Sequence, residues 1–408
     1  MSKQHDRLQT ITVKDNALQI AGRSAEQVVE IAGGTPSYIY DRSFLTERVQ
    51  ALRELMPSEL KLHYAIKANP MPAVVHHMAG LLDGLDVASQ NEMMIAIGAG
   101  IDPEVISFAG PAKRAEELRA AVAANIVINV ESCLELERLY QLSSNMGIKP
   151  RVAFRVNPDF ELKSSGMKMA GGPKQFGIDA EQMPELLSAL DTGKIDFYGF
   201  HIFSGSQNLN PKALVDAHNK TFELAERLSG LVRGPVRHVN IGGGLGIPYF
   251  PGEQKLDVRP VAENLQQLMS HRAGSFKHSD IVMELGRYLV GEAGYYLCRV
   301  TDKKQSRGQT FLMTDGGLHH HLSNSGNFGQ VIRKNYPVLI ANRIDGVEKE
   351  VVEIVGPLCT PLDIVGAKLE LPVAEVGDLV VVFQSGAYGA TASPQGFLSH
   401  PHVRELLV

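Results

Sequence analysis

The stretch His63-Tyr64-Ala65-Ile66-Lys67-Ala68-Asn69-Pro70 decides how the rest of the chain is read. It is a short apolar run that ends on a lysine and is stopped by Asn-Pro, since a proline lacks the N–H and restricts the residue before it. Side chains alternate along a strand, so Tyr64 and Ile66 share one face, and His63, Ala65 and Lys67 share the other, with Lys67 at the carboxyl end. Standing alone, such a lysine is a solvated strand end or an ion-pair partner. At the mouth of a barrel it lies where that fold keeps its chemistry.

Working outward, the candidate strands are Leu60–Ala68, Leu85–Ser89, Val105–Gly110, Ile126–Val130, Arg151–Asn157, Phe197–Ser204, His238–Gly242 and Ile281–Glu284. Between them lie helical stretches such as Gln90–Ile97, Ala112–Ala124 and Ala213–Leu231. Strand and helix in strict alternation predict an α/β chain with a parallel (β/α)8 TIM-type barrel over 36–287, an open doubly wound sheet being the alternative. After residue 287 the texture changes to short strands separated by Gly, Pro and Asp, as in Leu297-Cys-Arg-Val-Thr and Asp378-Leu-Val-Val-Val-Phe. Residues 288–408, joined by the N-terminal strands of 1–35, are therefore expected to form a β-barrel or sandwich domain.

The 408 residues suffice for two domains, and 44% hydrophobic with 21% charged residues is an ordinary globular balance. A net charge of −5 without basic runs excludes an electrostatic case for nucleic acid or an acidic membrane. No run approaches the roughly 18 apolar residues of a spanning helix, and the polar opening Met1–Arg7 precedes no apolar core, so the expectation is a cytoplasmic protein. Cys133, Cys298 and Cys359 match neither a disulfide framework nor a paired metal spacing.

The strand ends carry polar groups: Lys67, Asp86 with Ser89, Glu131 with Ser132, Arg155 with Asn157, His201 with Ser204 and Ser206, Gly242-Gly243-Gly244, and Glu284 with Gly286-Arg287. Residues inside the strands are expected to be bulky and branched. The glycine triplet follows the seventh strand, where this barrel keeps its phosphate site, and bare glycine amides can approach phosphate oxygens closely. A lysine, a phosphate cradle and a carboxylate on one mouth are the parts needed to hold pyridoxal 5′-phosphate, with Glu284 keeping the pyridine nitrogen protonated.

These residues fall into ordered motifs: Tyr64-Ala-Ile-Lys67-Ala-Asn, Leu85-Asp86-Val-Ala-Ser89-Gln-Asn-Glu92, Gly199-Phe-His201, Gly205-Ser206-Gln, Ile241-Gly-Gly-Gly244, Glu284-Leu-Gly286-Arg287, Gly356-Pro-Leu-Cys359 and Ser385-Gly-Ala-Tyr388-Gly. Through them nearly the whole chain resembles the fold-type III pyridoxal-phosphate decarboxylases of diaminopimelate, ornithine and arginine. The resemblance implies that Lys67 forms the Schiff base with Asp86 beside it, and that Ser206, Gly243, Gly244, Gly286 and Arg287 hold the phosphate. It further implies a head-to-tail homodimer in which Tyr388 reaches the phosphate of the facing subunit and Cys359 returns a proton after carbon dioxide leaves. A thiol, largely protonated at neutral pH, suits that donor.

Several positions depart from the family. Three residues before Ser206, where a ring-stacking histidine is expected, stands Phe203; His201 lies two residues earlier and is kept as a cofactor contact. Leu285 replaces a proline. Counting from Asp315-Gly-Gly puts Ser323 where diaminopimelate decarboxylases clamp the distal carboxylate with arginine, and Thr360 replaces a glutamate after Cys359; Asp363 is the remaining acid there. Instead, Asp315-Gly-Gly-Leu-His-His-His-Leu, Ser325-Gly-Asn-Phe-Gly and the stretch from Gly166 to Gly177 resemble the branch acting on amino acids tethered to an acyl carrier protein, including glutamyl-carrier and exosortase-associated enzymes. A γ-glutamyl thioester has no free distal carboxylate to clamp.

Substrate contacts are accordingly expected from His320, Ser323, Thr360 and Asp363, and carrier contacts from Lys163, Lys168, Lys174, Arg333 and Lys334. The triplet His319-His320-His321 is not expected to bind metal, because strand neighbours point to opposite faces. The loop Ser164–Gly172 is expected to close over the site. The alternatives are a decarboxylase of a free diamino acid (diaminopimelate, ornithine or lysine) and a catalytically idle cofactor-binding regulator, the latter opposed by the presence of Lys67, Cys359, Glu284 and Tyr388.

Overall fold

The computed structural model describes residues 5–160, 167–168, 171–328, 330 and 333–408. It divides into two compact units, Glu47–Ile247 with Leu256–Tyr288, and Met1–Thr46 with Pro248–Lys255 and Leu289–Val408.

In the first unit, eight parallel strands of the described residues close into a ring in chain order: β1 (Lys61–Ala65), β2 (Gly84–Val87), β3 (Ile106–Phe108), β4 (Val127–Val130), β5 (Arg151–Asn157), β6 (Asp196–Ile202), β7 (His238–Asn240) and β8 (Asp280–Leu285). Closure comes from β8 against β1, in the register Glu284↔His63 and Leu285↔Tyr64. This is the TIM-type barrel. Its connections are short where caps end them: Ser89 caps the helix Gln90–Gly98 and Ser132 caps Cys133–Met146, each accepting the N–H three residues on. Both serines, read from sequence as strand-end chemistry, are thereby helix caps.

The interior departs from the expected bulky filling. His63, Asp86, Ser107 and Asn129 are all buried and joined: His63 Nδ1 lies 3.3 Å from Asp86 Oδ1, Ser107 Oγ donates to the same oxygen, and Asn129 Nδ2 donates to Ser107 Oγ at 3.2 Å. A parallel strand buried on both faces can carry polar groups if each finds a partner.

The second unit is a mixed sheet around the long strand Gly294–Ser306, which pairs antiparallel with Ser37–Tyr40, Gln309–Thr314 and Leu379–Val382. Lys349–Val355 and Ile364–Pro372 extend it, and the N-terminal hairpin supplies Leu18 and Ile20 to a core with Ile39, Leu297, Val381 and Phe383. Ser37–Tyr40, buried at all four positions, lies in this sheet, although the sequence reading opens the barrel at residue 36. A four-residue apolar run shows its strand character but not which sheet it joins. Among the described residues no helix is long and apolar enough to cross a membrane.

Candidate active site

Lys67 does not end the strand. β1 stops at Ala65, and Ile66–Ala68 form one 3-10 turn, closed by the Asn69 N–H on the Ile66 carbonyl at 2.9 Å. The buried Tyr64 hydroxyl donates to the Asn69 carbonyl at 2.8 Å, and the Asn69 side chain accepts from Met71 N at 3.1 Å before helix Pro72–Ala79 begins. Strand alternation therefore does not set the direction of Lys67; this pinned turn does. Its side chain is 47% exposed, at the carboxyl-end mouth.

Facing it is Glu284 of β8, whose Oε1 lies 3.2 Å from Lys67 Nζ and whose Oε2 lies 3.3 Å from His201 Nε2. Burial pushes the Glu284 carboxyl up, but the Lys67 ammonium, the His201 contact and Arg155 outweigh it and hold the acid well below the usual carboxylate range. His201 is buried and directed to this carboxylate. The Phe203 ring, just past β6, has Lys67 Nζ 5.8 Å from its centroid.

The glycine loop is built for close approach. Gly244 has φ +89°, and a Cβ there would lie 2.8 Å from the Gly205 carbonyl; one on Gly243 would overlap the Glu284 carbonyl. Asn208 zips this loop to the Ser206 loop, its N–H donating to Gly244 O at 2.9 Å and its carbonyl accepting from Gly246 N at 3.0 Å. The Gly243 and Gly244 N–H groups have no acceptor among the described residues. Gly286 packs where a Cβ would come 2.9 Å from that of Ala68, and Arg287 opens the helix Arg287–Val290. Gly244→Ala is expected to weaken pyridoxal 5′-phosphate binding by at least ~10-fold, read by titrating cofactor into apoprotein, because a side chain at this φ costs ~1–3 kcal/mol and narrows the cradle. Unchanged affinity would contradict the cradle.

Asp86, expected beside Lys67, has Oδ1 engaged by His63 and Ser107, while its buried Oδ2 has no partner among the described residues. Besides Glu284, Glu92 also feels the Lys67 charge; it accepts from Ala88 N at 2.7 Å, and burial raises its pKa while that hydrogen bond and Lys67 oppose the rise. Glu92 stands in the Asp86–Glu92 motif, so the sequence contained it, but a glutamate near a helix start also reads as a cap. Arg155 pairs with Glu131 at 3.0 Å, and Glu131 also accepts from Gly110 N at 2.6 Å and Gly177 N at 3.2 Å. Asn157 clamps Gly171 and Gly172 from both sides of its amide. The rest of the loop Ser164–Gly172, apart from the backbone of Met167 and Lys168, lies outside the described residues, as does Lys163.

In the β unit, Cys359 is exposed on a turn and Tyr388 sits at φ +54°. The expected substrate contacts are mostly engaged internally. Ser323 Oγ donates to the Tyr388 carbonyl at 2.9 Å, Thr360 Oγ1 accepts from Leu362 N at 3.3 Å, and His320 Nε2 meets the Pro401 carbonyl at 2.8 Å. Asp363 is buried, with both oxygens taken by backbone N–H groups. The three histidines diverge: His321 bonds Ser385 Oγ at 2.9 Å, whereas both ring nitrogens of buried His319 lack a hydrogen-bond partner among the described residues. His320 Nδ1 is likewise without a partner among the described residues, and the His319 ring packs against the rings of His320 and His400 at 3.7 and 5.0 Å. Arg333, expected on the carrier surface, is held by Ser325 O at 3.2 Å and Asn335 Oδ1 at 2.6 Å.

A parallel barrel bearing a lysine at its mouth, a glycine-amide cradle and an ionised buried carboxylate defines an enzyme that holds a phosphorylated ring cofactor through an amine. Residues 42–291 match the family model described as pyridoxal-dependent decarboxylase, pyridoxal binding domain. The L-glutamyl-[BtrI acyl-carrier protein] decarboxylase of Niallia circulans is 36% identical over 91% of this chain and 88% of its own. The diaminopimelate decarboxylase of Aquifex aeolicus is 33% identical over 97% of this chain and 91% of its own. The crystal structure of the M. jannaschii diaminopimelate decarboxylase with L-lysine superposes with a TM-score of 0.86 at 28% identity, covering 98% of this chain and 93% of that one.

The chain belongs to the pyridoxal-dependent decarboxylases. It is a carboxy-lyase, and pyridoxal 5′-phosphate is its cofactor; the unpaired glycine amides and the ionised Glu284 fit that group.

Proposed function

We propose that the protein removes the α-carboxyl group of an L-amino acid that is joined to an acyl carrier protein or otherwise lacks a free distal carboxylate. The observation that carries this reading is the internal engagement of Ser323 and Asp363. At the place of the clamping arginine stands a hydroxyl committed to Tyr388, so a distal carboxylate would meet no cation there. A distal ammonium would meet an acid already satisfied by amides. The 36% identity to a decarboxylase of a carrier-bound glutamyl group supports the same reading. A free diamino acid is the second reading, supported by the 33% identity to a diaminopimelate decarboxylase.

In this reading Lys67 holds the cofactor, while Ser206, Gly243, Gly244, Gly286 and Arg287 bind its phosphate with help from Tyr388. Glu284, kept ionised and oriented by His201, pairs with the ring nitrogen; Asp86 braces the barrel behind it, and Phe203 covers the ring face. Bound pyridoxal 5′-phosphate supplies the electron sink for the charge left when carbon dioxide departs. Cys359 delivers the proton that replaces the carboxyl group at Cα. The enzyme works as a cytoplasmic homodimer whose subunits share active sites.

The test is carbon dioxide release from glutamyl-carrier thioester, free glutamate, diaminopimelate, ornithine and lysine, assayed in parallel. The thioester is expected to exceed every free amino acid in kcat/KM by at least ~100-fold, the discrimination given by a polar group left unpaired in the wrong substrate. Faster turnover of free diaminopimelate overturns the reading.

A further inference from the structure

Asp363 is 2% exposed, and its carboxylate lies between two turns of the β unit. Oδ1 accepts from Leu318 N at 2.5 Å and Oδ2 from Leu358 N at 2.8 Å. These are the residues immediately before His319 and Cys359. The backbone of Asp363 closes the cysteine turn itself, its N–H donating to Thr360 O at 3.3 Å and its carbonyl accepting from Gly356 N at 3.1 Å. A Cβ on Gly317 or on Gly356 would overlap the carboxylate, so both glycines are what let the two turns reach one side chain. Hydrogen bonds to an ionised acceptor are the stronger kind, and a buried acid engaged by two amides has little freedom to do anything else.

We propose that Asp363 is a positioning residue, one carboxylate that fixes the backbone before Cys359 against the turn before His319 so that the exposed thiol is presented in one geometry. The inference rests on the reading above that Cys359 delivers the proton. Sub-ångström placement matters for a proton donor, since misplacing a reacting group by about 1 Å can cost ~100-fold in rate.

The experiment compares holoenzymes carrying Asp363→Ala, Asp363→Asn and Cys359→Ala with the unaltered protein. Three quantities are read: steady-state kinetics on the best substrate, the cofactor absorbance band, and the iodoacetamide alkylation rate of Cys359 followed by peptide mass spectrometry across the thiol's titration range. Asp363→Ala is expected to lower kcat by ~10–100-fold with KM within about threefold and the band unchanged, the pattern of a misplaced group acting after binding. Alkylation of Cys359 should change by at least ~5-fold as the turn loosens. Asp363→Asn, whose amide oxygen can still accept one of the two N–H groups, should fall between. If Asp363→Ala does not fold, the asparagine variant decides. Unchanged alkylation and unchanged kcat in the variants overturn the proposal. A Cys359→Ala enzyme of unaltered kcat overturns the role given to the thiol, while the alkylation rates still judge Asp363 by themselves.

Discussion

Lys67→Ala is expected to purify without the visible absorbance of covalently held cofactor and to release carbon dioxide at least ~10,000-fold more slowly, a loss of about 5.5 kcal/mol of transition-state stabilisation. The fold should survive. Lys67 is half exposed, the turn that carries it is tied by Tyr64 and Asn69 rather than by its ammonium, and Glu284 keeps His201 as a partner. Absorbance of the dialysed protein and single-turnover release of carbon dioxide check the two halves separately. A variant that retained a non-dialysable band would remove Lys67 from the centre of the site.

Glu284→Gln is the second large effect, with an expected fall in kcat of ~100–1,000-fold, about 3–4 kcal/mol, as for removal of one preorganised charged partner. Burial alone would favour the neutral acid, yet Lys67, His201 and Arg155 hold the carboxyl below its ordinary value of 4.5. The sign follows from that direction. Because the folded-state value is depressed, the stability this group contributes is present above the ordinary value and is lost only as pH falls through the folded one. The wild-type enzyme should therefore show no activity limb from Glu284 above the ordinary carboxylate range. Glutamine fills the same volume and can still meet His201, so the variant should fold, giving up the stability that the charge contributes at neutral pH, while kcat falls. Activity of Glu284→Gln within about threefold of wild type would mean that the charge is not used.

The eight barrel strands were legible because each is an apolar run bounded by helical periodicity, and that pattern depends only on neighbours in sequence. The glycine loop after β7 was legible for a similar reason, since bare amides need no partner to be recognised. What sequence could not show is which polar groups are already satisfied. Lys67 meets Glu284 across 217 residues, Ser323 meets Tyr388 across 65 and Asp363 meets Leu318 across 45. An unengaged serine or aspartate at those positions reads as a ligand-binding group, and only the folded chain shows it to be bonded within the protein.

By itself, then, the sequence determined the barrel and the cofactor class, because these follow from periodicity and from ordered motifs that few other arrangements require. Tertiary structure decided that Lys67 stands on a 3-10 turn rather than a strand, that Glu284 and Glu92 feel its charge, and that Ser323 and Asp363 are bonded within the protein. The physical reason is one and the same: a side chain's chemistry is set by the hydrogen-bond partners left to it, and those partners come from distant segments that only folding brings within reach.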